Sequence, residues 1–121
     1  MDLTVSHEDG YVLARTAGRI DDSADETFRE HLFPLLGQPG TRLVLDLSQS
    51  GQLSSRGIGH LVSLVAHANT NSSRVILAGC SSFVLIVLNR CRLDEFFEIA
   101  ETVPAAVCRI LDQPQRPTDS R

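Results

Sequence analysis

The chain has 121 residues, of which 42% are hydrophobic and 21% charged, and its formal net charge is −4. This length and composition predict one globular domain and argue against both a disordered chain and a membrane protein. The 11 strongly basic residues are all arginine and are scattered along the sequence, so the clustered cationic surface that binds nucleic acid is not expected.

The cellular compartment is inferred from apolar runs and cysteines. Phe83–Leu88, the longest apolar run, is far shorter than the roughly 18 residues that span a bilayer. The first residues lack the basic stretch and apolar core of a secretory signal. Cys80, Cys91 and Cys108 form neither a disulfide framework nor a CxxC metal pattern, and we interpret them as small core residues. These observations favour a cytoplasmic protein.

The first predicted element is a β-hairpin. Asp9 and Gly10 separate two β-rich runs, Leu3–Val5 and Tyr11–Arg15. An Asp-Gly pair in this position favours a type I′ turn, because glycine tolerates the positive φ that the turn requires.

A helix is predicted next. Ser23 and Glu26 have the S-x-x-E spacing of a capping box, in which the hydroxyl and the carboxylate satisfy backbone N–H groups at the helix start. Pro34 should kink or shorten this helix, and Gly37 should end it. The apolar residues of the segment recur at helical spacing: Phe28, Leu32, Leu35 and Leu36.

The rest of the chain alternates between strand and helix patterns. Residues 42–47 and 73–79 are nearly continuous apolar runs, typical of strands covered on both faces, and residues 96–100 are predicted as the last strand. Helices are predicted from Ser55, with apolar residues at positions 58, 61, 62 and 65, and from Thr102. Ser82–Arg92 fits either a strand or a helix that Ser81 or Ser82 caps.

Together these elements predict an α/β fold over residues 1–111. It consists of a mixed β-sheet that a β-hairpin opens and that about four α-helices cover. Residues 112–121 are rich in proline, glutamine and charge, and we predict a disordered tail there.

Ser54 and Ser55 are the most informative polar residues. They follow a buried strand and a polar loop, and they begin the helix that contains Ile58 and Val65. Sites collect where strands end and the next helices begin in open α/β sheets. One serine can act only as an N-cap, which stabilises a helix by roughly 1 kcal/mol. The other interpretation, which we favour, is that Ser54 is the N-cap and that Ser55 presents an alcohol to solvent at the positive end of the helix dipole.

A polar stripe follows along the same helix, formed by Arg56, His60, Ser63 and His67. The two histidines are two turns apart, too far for a zinc-helix pair. Ser63 and His67 have the spacing of a nucleophile and a base, but no orienting acid or oxyanion motif accompanies them. The stripe is interpreted as a solvated helix face or as the rim of a partner contact. No catalytic residue, metal ligand or cofactor is expected.

Five short motifs resemble, in order, those of the STAS domain family, which includes bacterial anti-sigma factor antagonists. The resemblance covers about residues 3–111. Its most informative part is a strand that ends in Leu-Asp-Leu and a helix that opens with Asp-Ser-x-Gly-Ile/Leu-Gly. The matching segments are Gly18–Asp21, Leu45–Leu47, Ser54–Gly59, Arg92–Phe97 and Val103–Ala106.

The resemblance implies a phosphorylation switch. In the antagonist branch, the motif serine is phosphorylated by a partner that is both anti-sigma factor and serine kinase, of the histidine-kinase-like ATPase type; a phosphatase would reverse the modification. Ser55 occupies the serine position, and Ser54, which stands where the family has aspartate, is the second choice. The family also implies that Ser82–Arg92 is a helix. Because residues 83–88 are apolar all round, some of Phe83, Leu85 and Ile86 should remain exposed, and we predict that this helix borders the Ser55 loop and contributes to binding.

The sequence is therefore consistent with two functions of different classes. The first is an anti-sigma factor antagonist-like switch that does not bind nucleic acid or membrane. The second is a STAS module that senses a nucleotide or a lipid without phosphorylation. The partner-binding residues expected for the first are Ser54, Ser55, Arg56, Gly57, His60 and Phe83.

Overall fold

The computed structural model describes residues 1–93 and 95–112. The elements in chain order are β1 (Asp2–Glu8), β2 (Tyr11–Ala17), α1 (Ala24–His31), α2 (Phe33–Leu36), β3 (Arg42–Gln49), α3 (Ser55–Thr70), β4 (Arg74–Ala78), α4 (Ser82–Arg90), β5 (Glu98–Ala100) and α5 (Val103–Asp112). Of the predicted tail, Asp112 is the last residue of α5, and residues 113–121 lie outside the described part.

The strands form one mixed sheet in the order β1-β2-β3-β4-β5. The predicted hairpin is confirmed: β1 and β2 pair antiparallel, with Glu8 opposite Tyr11, and Gly10 in the turn has a φ of +89°. The pairs from β2 to β5 are parallel. This is the predicted mixed sheet opened by a hairpin.

The two faces of the sheet are covered by different helices. Side chains alternate between the faces along a strand, so Leu43, Leu45 and Leu47 of β3 pack in the larger core, together with residues of α1, α2, α3 and α4. Val44 lies on the other face, in a smaller core that Ala106 and Ile110 of α5 complete. No helix of the described residues is long and apolar enough to cross a membrane.

The predicted interruption by Pro34 and the stop at Gly37 are both confirmed. α1 ends at His31, and Pro34 lies in the first turn of the separate short helix α2, which Gly37 ends. Proline has no N–H to donate and clashes with the preceding turn, so it is tolerated at a helix start and not in the interior.

The predicted capping box at Ser23 is wrong. Ser23 itself has helical backbone angles, φ −65° and ψ −18°, and its side chain accepts no capping hydrogen bond. Instead, Asp21 Oδ1 accepts hydrogen bonds from the backbone N–H of Ser23 at 3.0 Å and from Ser23 Oγ at 2.7 Å. These hydrogen bonds lower the pKa of the Asp21 carboxyl. A cap requires an extended backbone, which Ser23 does not have.

Ser82–Arg92 contains a helix, as the family resemblance implies. α4 runs over Ser82–Arg90, and Ser81 Oγ caps it by accepting a hydrogen bond from the N–H of Val84 at 3.2 Å. The last strand is shorter than predicted, because β5 begins only at Glu98.

The interpretation of the cysteines as core residues is wrong for two of the three. Cys91 and Cys108 are exposed, and Cys80, after β4, is partly buried. Burial raises the pKa of the Cys80 thiol to about 11. Composition alone could not place them, since a cysteine is small enough for either environment.

Candidate functional site

The loop between β3 and α3 is held in place by the segment that follows β2. Gly18 N–H donates to Gln49 O at 3.0 Å, and Ile20 N–H donates to Gln52 O at 3.1 Å. Ile20 O in turn accepts from the N–H of Ser54 at 2.9 Å. Backbone hydrogen bonds to the segment after β2 therefore hold the loop both where it leaves β3 and where it enters α3.

A buried pair of hydroxyls, not identified from the sequence, also anchors this loop. Thr16 Oγ1 of β2 and Ser50 Oγ of the loop lie 2.6 Å apart, and both residues are buried. The two residues are 34 positions apart in the sequence, so their contact depends on the three-dimensional fold and not on a local pattern. The hydrogen bond satisfies two polar groups that would otherwise be costly to bury.

Gly57 lies beneath the site and not on its surface. It is buried, and a Cβ at this position would stand 2.0 Å from Ile20 O. The expectation that Gly57 itself contacts a partner is therefore corrected. Its lack of a side chain lets the first turn of α3 approach the backbone of Ile20.

The two serines at the start of α3 have different surroundings. Ser54 is partly buried and has an extended backbone, φ −86° and ψ 168°, and its Oγ accepts a hydrogen bond from Gly57 N–H at 3.1 Å. Ser55, the first residue of α3, is exposed. The geometry matches the predicted placement of Ser54 as the N-cap and of Ser55 on the surface.

Arg56 and His60 face the segment that leads into α1. Arg56 Nη1 is 3.7 Å from Asp22 Oδ2, and its side chain is 77% exposed. His60 Nε2 is 3.0 Å from Asp22 Oδ1, and its Nδ1 is 3.6 Å from Asp25 Oδ1. The His60 side chain is only 21% exposed. Its interpretation as part of a solvated face is therefore wrong, because α1 packs against that side of α3.

His67 is also covered. Its ring stacks on Phe33 with centroids 4.5 Å apart, and its Nε2 is 3.1 Å from Phe33 O. The Ser63–His67 pair considered from the sequence thus has its histidine engaged with α2. Among the described residues, no group of three or more histidine, cysteine or acidic side chains could hold a metal ion.

Asp46 shapes the end of β3. Its Oδ1 accepts a hydrogen bond from Ser48 N–H at 2.9 Å, and its Oδ2 is 3.4 Å from Arg15 Nε. Ser48 approaches Gly79 after β4 so closely that a Cβ there would be 3.0 Å from Ser48 Cβ. Asp46 therefore links the last residues of β3 to Arg15 of β2, just before the α3 loop.

The start of α4 lies against the same loop. Ser81 Oγ donates a hydrogen bond to Gly51 O at 3.1 Å. Three apolar side chains of α4 remain exposed, as the sequence predicted, and we call them the α4 patch: Phe83 (50% exposed), Leu85 (42%) and Ile86 (54%).

This arrangement of sheet, loop and helices can be compared with known proteins. The sequence model of the STAS domain family matches residues 2–106. The chain belongs to the STAS domain family. The match includes the β3–α3 loop, Ser54 and Ser55.

Solved structures support the same assignment of this STAS domain at the level of fold. An anti-sigma factor antagonist from Mycobacterium paratuberculosis has 19% sequence identity and a TM-score of 0.79, with 92% of this chain and 94% of that chain covered. The antagonist SpoIIAA in its unphosphorylated form has 19% identity and a TM-score of 0.75, with 93% and 98% covered. Bacillus SpoIIAA in its phosphorylated form has 19% identity and a TM-score of 0.69, with 90% and 99% covered.

Proposed function

We propose that this STAS domain is a cytoplasmic, non-enzymatic interaction switch of the anti-sigma factor antagonist type. Unmodified, it binds a partner that is both anti-sigma factor and serine kinase, of the histidine-kinase-like ATPase type. Phosphorylation of Ser55 by that partner ends the complex, and a phosphatase restores it. The observation that carries the proposal is the exposed Ser55 at the start of α3, beside a Ser54 whose oxygen already caps the helix.

The position of Ser55 suits a modification that leaves the fold intact. A phosphoserine carries roughly −1.5 to −2 charges at neutral pH. The backbone N–H groups of a first helical turn have no partners within the helix and favour negative charge. α3 has no acidic residue in its first turn that would repel a phosphate. The domain can therefore accept the group, while a partner packed on Ser55 would have to desolvate it.

The proposed partner surface combines two neighbouring regions. The first comprises Ser54, Ser55, Arg56 and the exposed edge of His60. The second is the α4 patch with Phe83, joined to the first by the bond between Ser81 and the α3 loop. Polar groups next to an exposed apolar patch are typical of protein-binding surfaces. Two SpoIIAA structures similar to this chain are described as unphosphorylated and phosphorylated forms, which supports the proposed type of control.

The modification itself is tested by phosphopeptide mapping. The domain is incubated with the purified kinase partner and ATP, and the modified residue is located by mass spectrometry. We expect one phosphate on Ser55, retained in Ser54→Ala and lost in Ser55→Ala. Phosphate on Ser54, or none on either serine, would reject the proposed switch.

The second candidate, a nucleotide or lipid sensor, is favoured by one observation. A cavity of about 380 Å³ is lined by residues of α3, β4, the segment before β5 and the first residue of β5, including Arg74 and Glu98. Ligand sites commonly have such volumes, but Arg74 already donates hydrogen bonds to Glu98. A rise in the melting temperature with nucleotide or short-chain lipid, without phosphorylation, would favour this function.

A further inference from the structure

A chain of charged side chains lies beside Ser55. Asp22 is at its centre, with one carboxylate oxygen 3.0 Å from His60 Nε2 and the other 3.7 Å from Arg56 Nη1. Both partners belong to α3, whereas Asp22 belongs to the segment before α1. The Asp22 carboxylate therefore bridges that segment to the first two turns of α3.

The remaining charges of this cluster are more firmly paired. Asp25 Oδ1 accepts a hydrogen bond from Arg29 Nη2 at 2.7 Å and lies 3.6 Å from His60 Nδ1. The hydrogen bond from Arg29 is the main cause that lowers the pKa of the Asp25 carboxyl. Arg56, by contrast, makes a longer contact at 3.7 Å with a side chain that is 77% exposed. Arg56 is thus the cation of this cluster that can turn away at the lowest cost.

We propose that Arg56 turns from Asp22 to the phosphate when Ser55 is phosphorylated, while Asp22 stays with His60. This inference rests on the proposed phosphorylation of Ser55. A phosphate offers three strong acceptors to the fork of a guanidinium, which a single exposed carboxylate at 3.7 Å does not match. The dianion also repels Asp22. The attraction of Arg56 to the phosphate and the repulsion between the phosphate and Asp22 therefore both favour separation of Arg56 from Asp22.

The exchange makes Arg56 a positioning residue for the switch. Its guanidinium holds the phosphate over the first turn of α3 and favours the dianionic form over the monoanion. The second ionisation of phosphoserine lies near pH 6. Arg56 would therefore keep the modified domain fully charged at the lower end of the physiological pH range.

The test uses the full chain with phosphoserine incorporated at position 55 during translation, so that no kinase is required. The second pKa of the phosphate is measured by ³¹P NMR as a function of pH. We expect Arg56→Ala to raise this pKa by about half a unit, as for an exposed ion pair, and Arg56→Lys to restore part of the shift. Asp22→Asn should lower it, because the competing carboxylate is lost.

The matched control is Arg42→Ala, which removes an arginine from the opposite end of β3 and should leave the phosphate pKa unchanged. Equal shifts for Arg56→Ala and Arg42→Ala would overturn the proposal without affecting the switch. A kinase that never modifies Ser55 would reject the proposed function instead. The titration of the phosphoserine would still show whether Arg56 interacts with the phosphate. Failure of the Arg56 proposal and failure of the proposed phosphorylation can therefore be distinguished. Arg56→Gln provides a second neutral variant of this surface residue.

Discussion

At the first turn of α3, two neighbouring serines differ in what their hydroxyls contact. Ser54 Oγ accepts the hydrogen bond from Gly57 N–H, whereas Ser55 is exposed. We expect Ser54→Ala to lower the free energy of unfolding by roughly 0.5–2 kcal/mol, because that N–H loses its acceptor. Ser55→Ala, the control, should change it by less than about 0.5 kcal/mol. Urea denaturation measures both, and equal losses would contradict the assignment of the cap.

Two glycines of the same helix provide a matched pair. A Cβ on Gly57 would meet Ile20 O at 2.0 Å, whereas a Cβ on Gly59 has nothing within 4 Å. Gly57→Ala should therefore destabilise the fold by about 1–3 kcal/mol or more, through overpacking against backbone. Gly59→Ala should stabilise it by up to roughly 1 kcal/mol, because alanine is the better helix former. Thermal denaturation that ranks Gly57→Ala at or above the natural chain would refute the close approach.

The roles of single residues were only partly predictable from the sequence. The placement of Ser54 and Ser55 depends on their position in one helical turn, which is local information. The interpretation as a solvated face failed for His60 and His67, because periodicity assigns a residue to a face of α3 without revealing what packs against that face. α1 and α2 cover it, and their docking depends on the whole core.

Between elements, the buried hydrogen bond between the hydroxyls of Thr16 and Ser50 ties the α3 loop to β2. Thr16→Val should cost about 1–3 kcal/mol, because the Ser50 hydroxyl is left buried without this partner. The double variant Thr16→Val/Ser50→Ala should cost less than the sum of the two single changes. A double-mutant cycle by urea denaturation measures this coupling. Additive costs would mean that the two hydroxyls do not stabilise each other.

The α4 patch makes a prediction about binding and not about stability. Phe83→Ala and Ile86→Ala remove side chains that are half exposed, so the free energy of unfolding should change little. Each should nevertheless weaken binding to the kinase partner about tenfold or more, if the patch packs in the interface. The control is Leu111→Ala in α5, 41% exposed on the other face of the sheet. Isothermal titration calorimetry measures the affinity of each variant for the partner. Equal affinities for all variants would show that α4 is not part of the interface.

Helices and strands were predicted correctly where one sequence signal stood alone, and less well where two signals competed in the same segment. The Asp9–Gly10 turn and the apolar run of β3 gave the hairpin and the central strand directly. Ser23 has the sequence pattern of a cap, but its helical backbone angles exclude that role, and Asp21 Oδ1 instead accepts a hydrogen bond from the N–H of Ser23. α4 is apolar all round, so its helical form followed from the family resemblance and not from periodicity.

For the whole molecule, topology brings the candidate site together. β3 and β4 are parallel neighbours, so their carboxyl ends meet at one edge of the sheet, where sites of open α/β folds collect. α3 begins after one strand and α4 after the other. The starts of α3 and α4 therefore lie at the same edge of the sheet, and we propose that Ser55 and the α4 patch together bind the partner.

The most direct test of this account is the affinity of the kinase partner for the unmodified domain and for the domain with phosphoserine at position 55. We expect the phosphate to weaken binding more than a hundredfold, which corresponds to about 3 kcal/mol. Phosphoserine at Ser63, exposed further along α3, is the matched control for charge and should have a much smaller effect. Equal affinities for the unmodified and Ser55-phosphorylated domains, or equal weakening by the two phosphates, would contradict the switch.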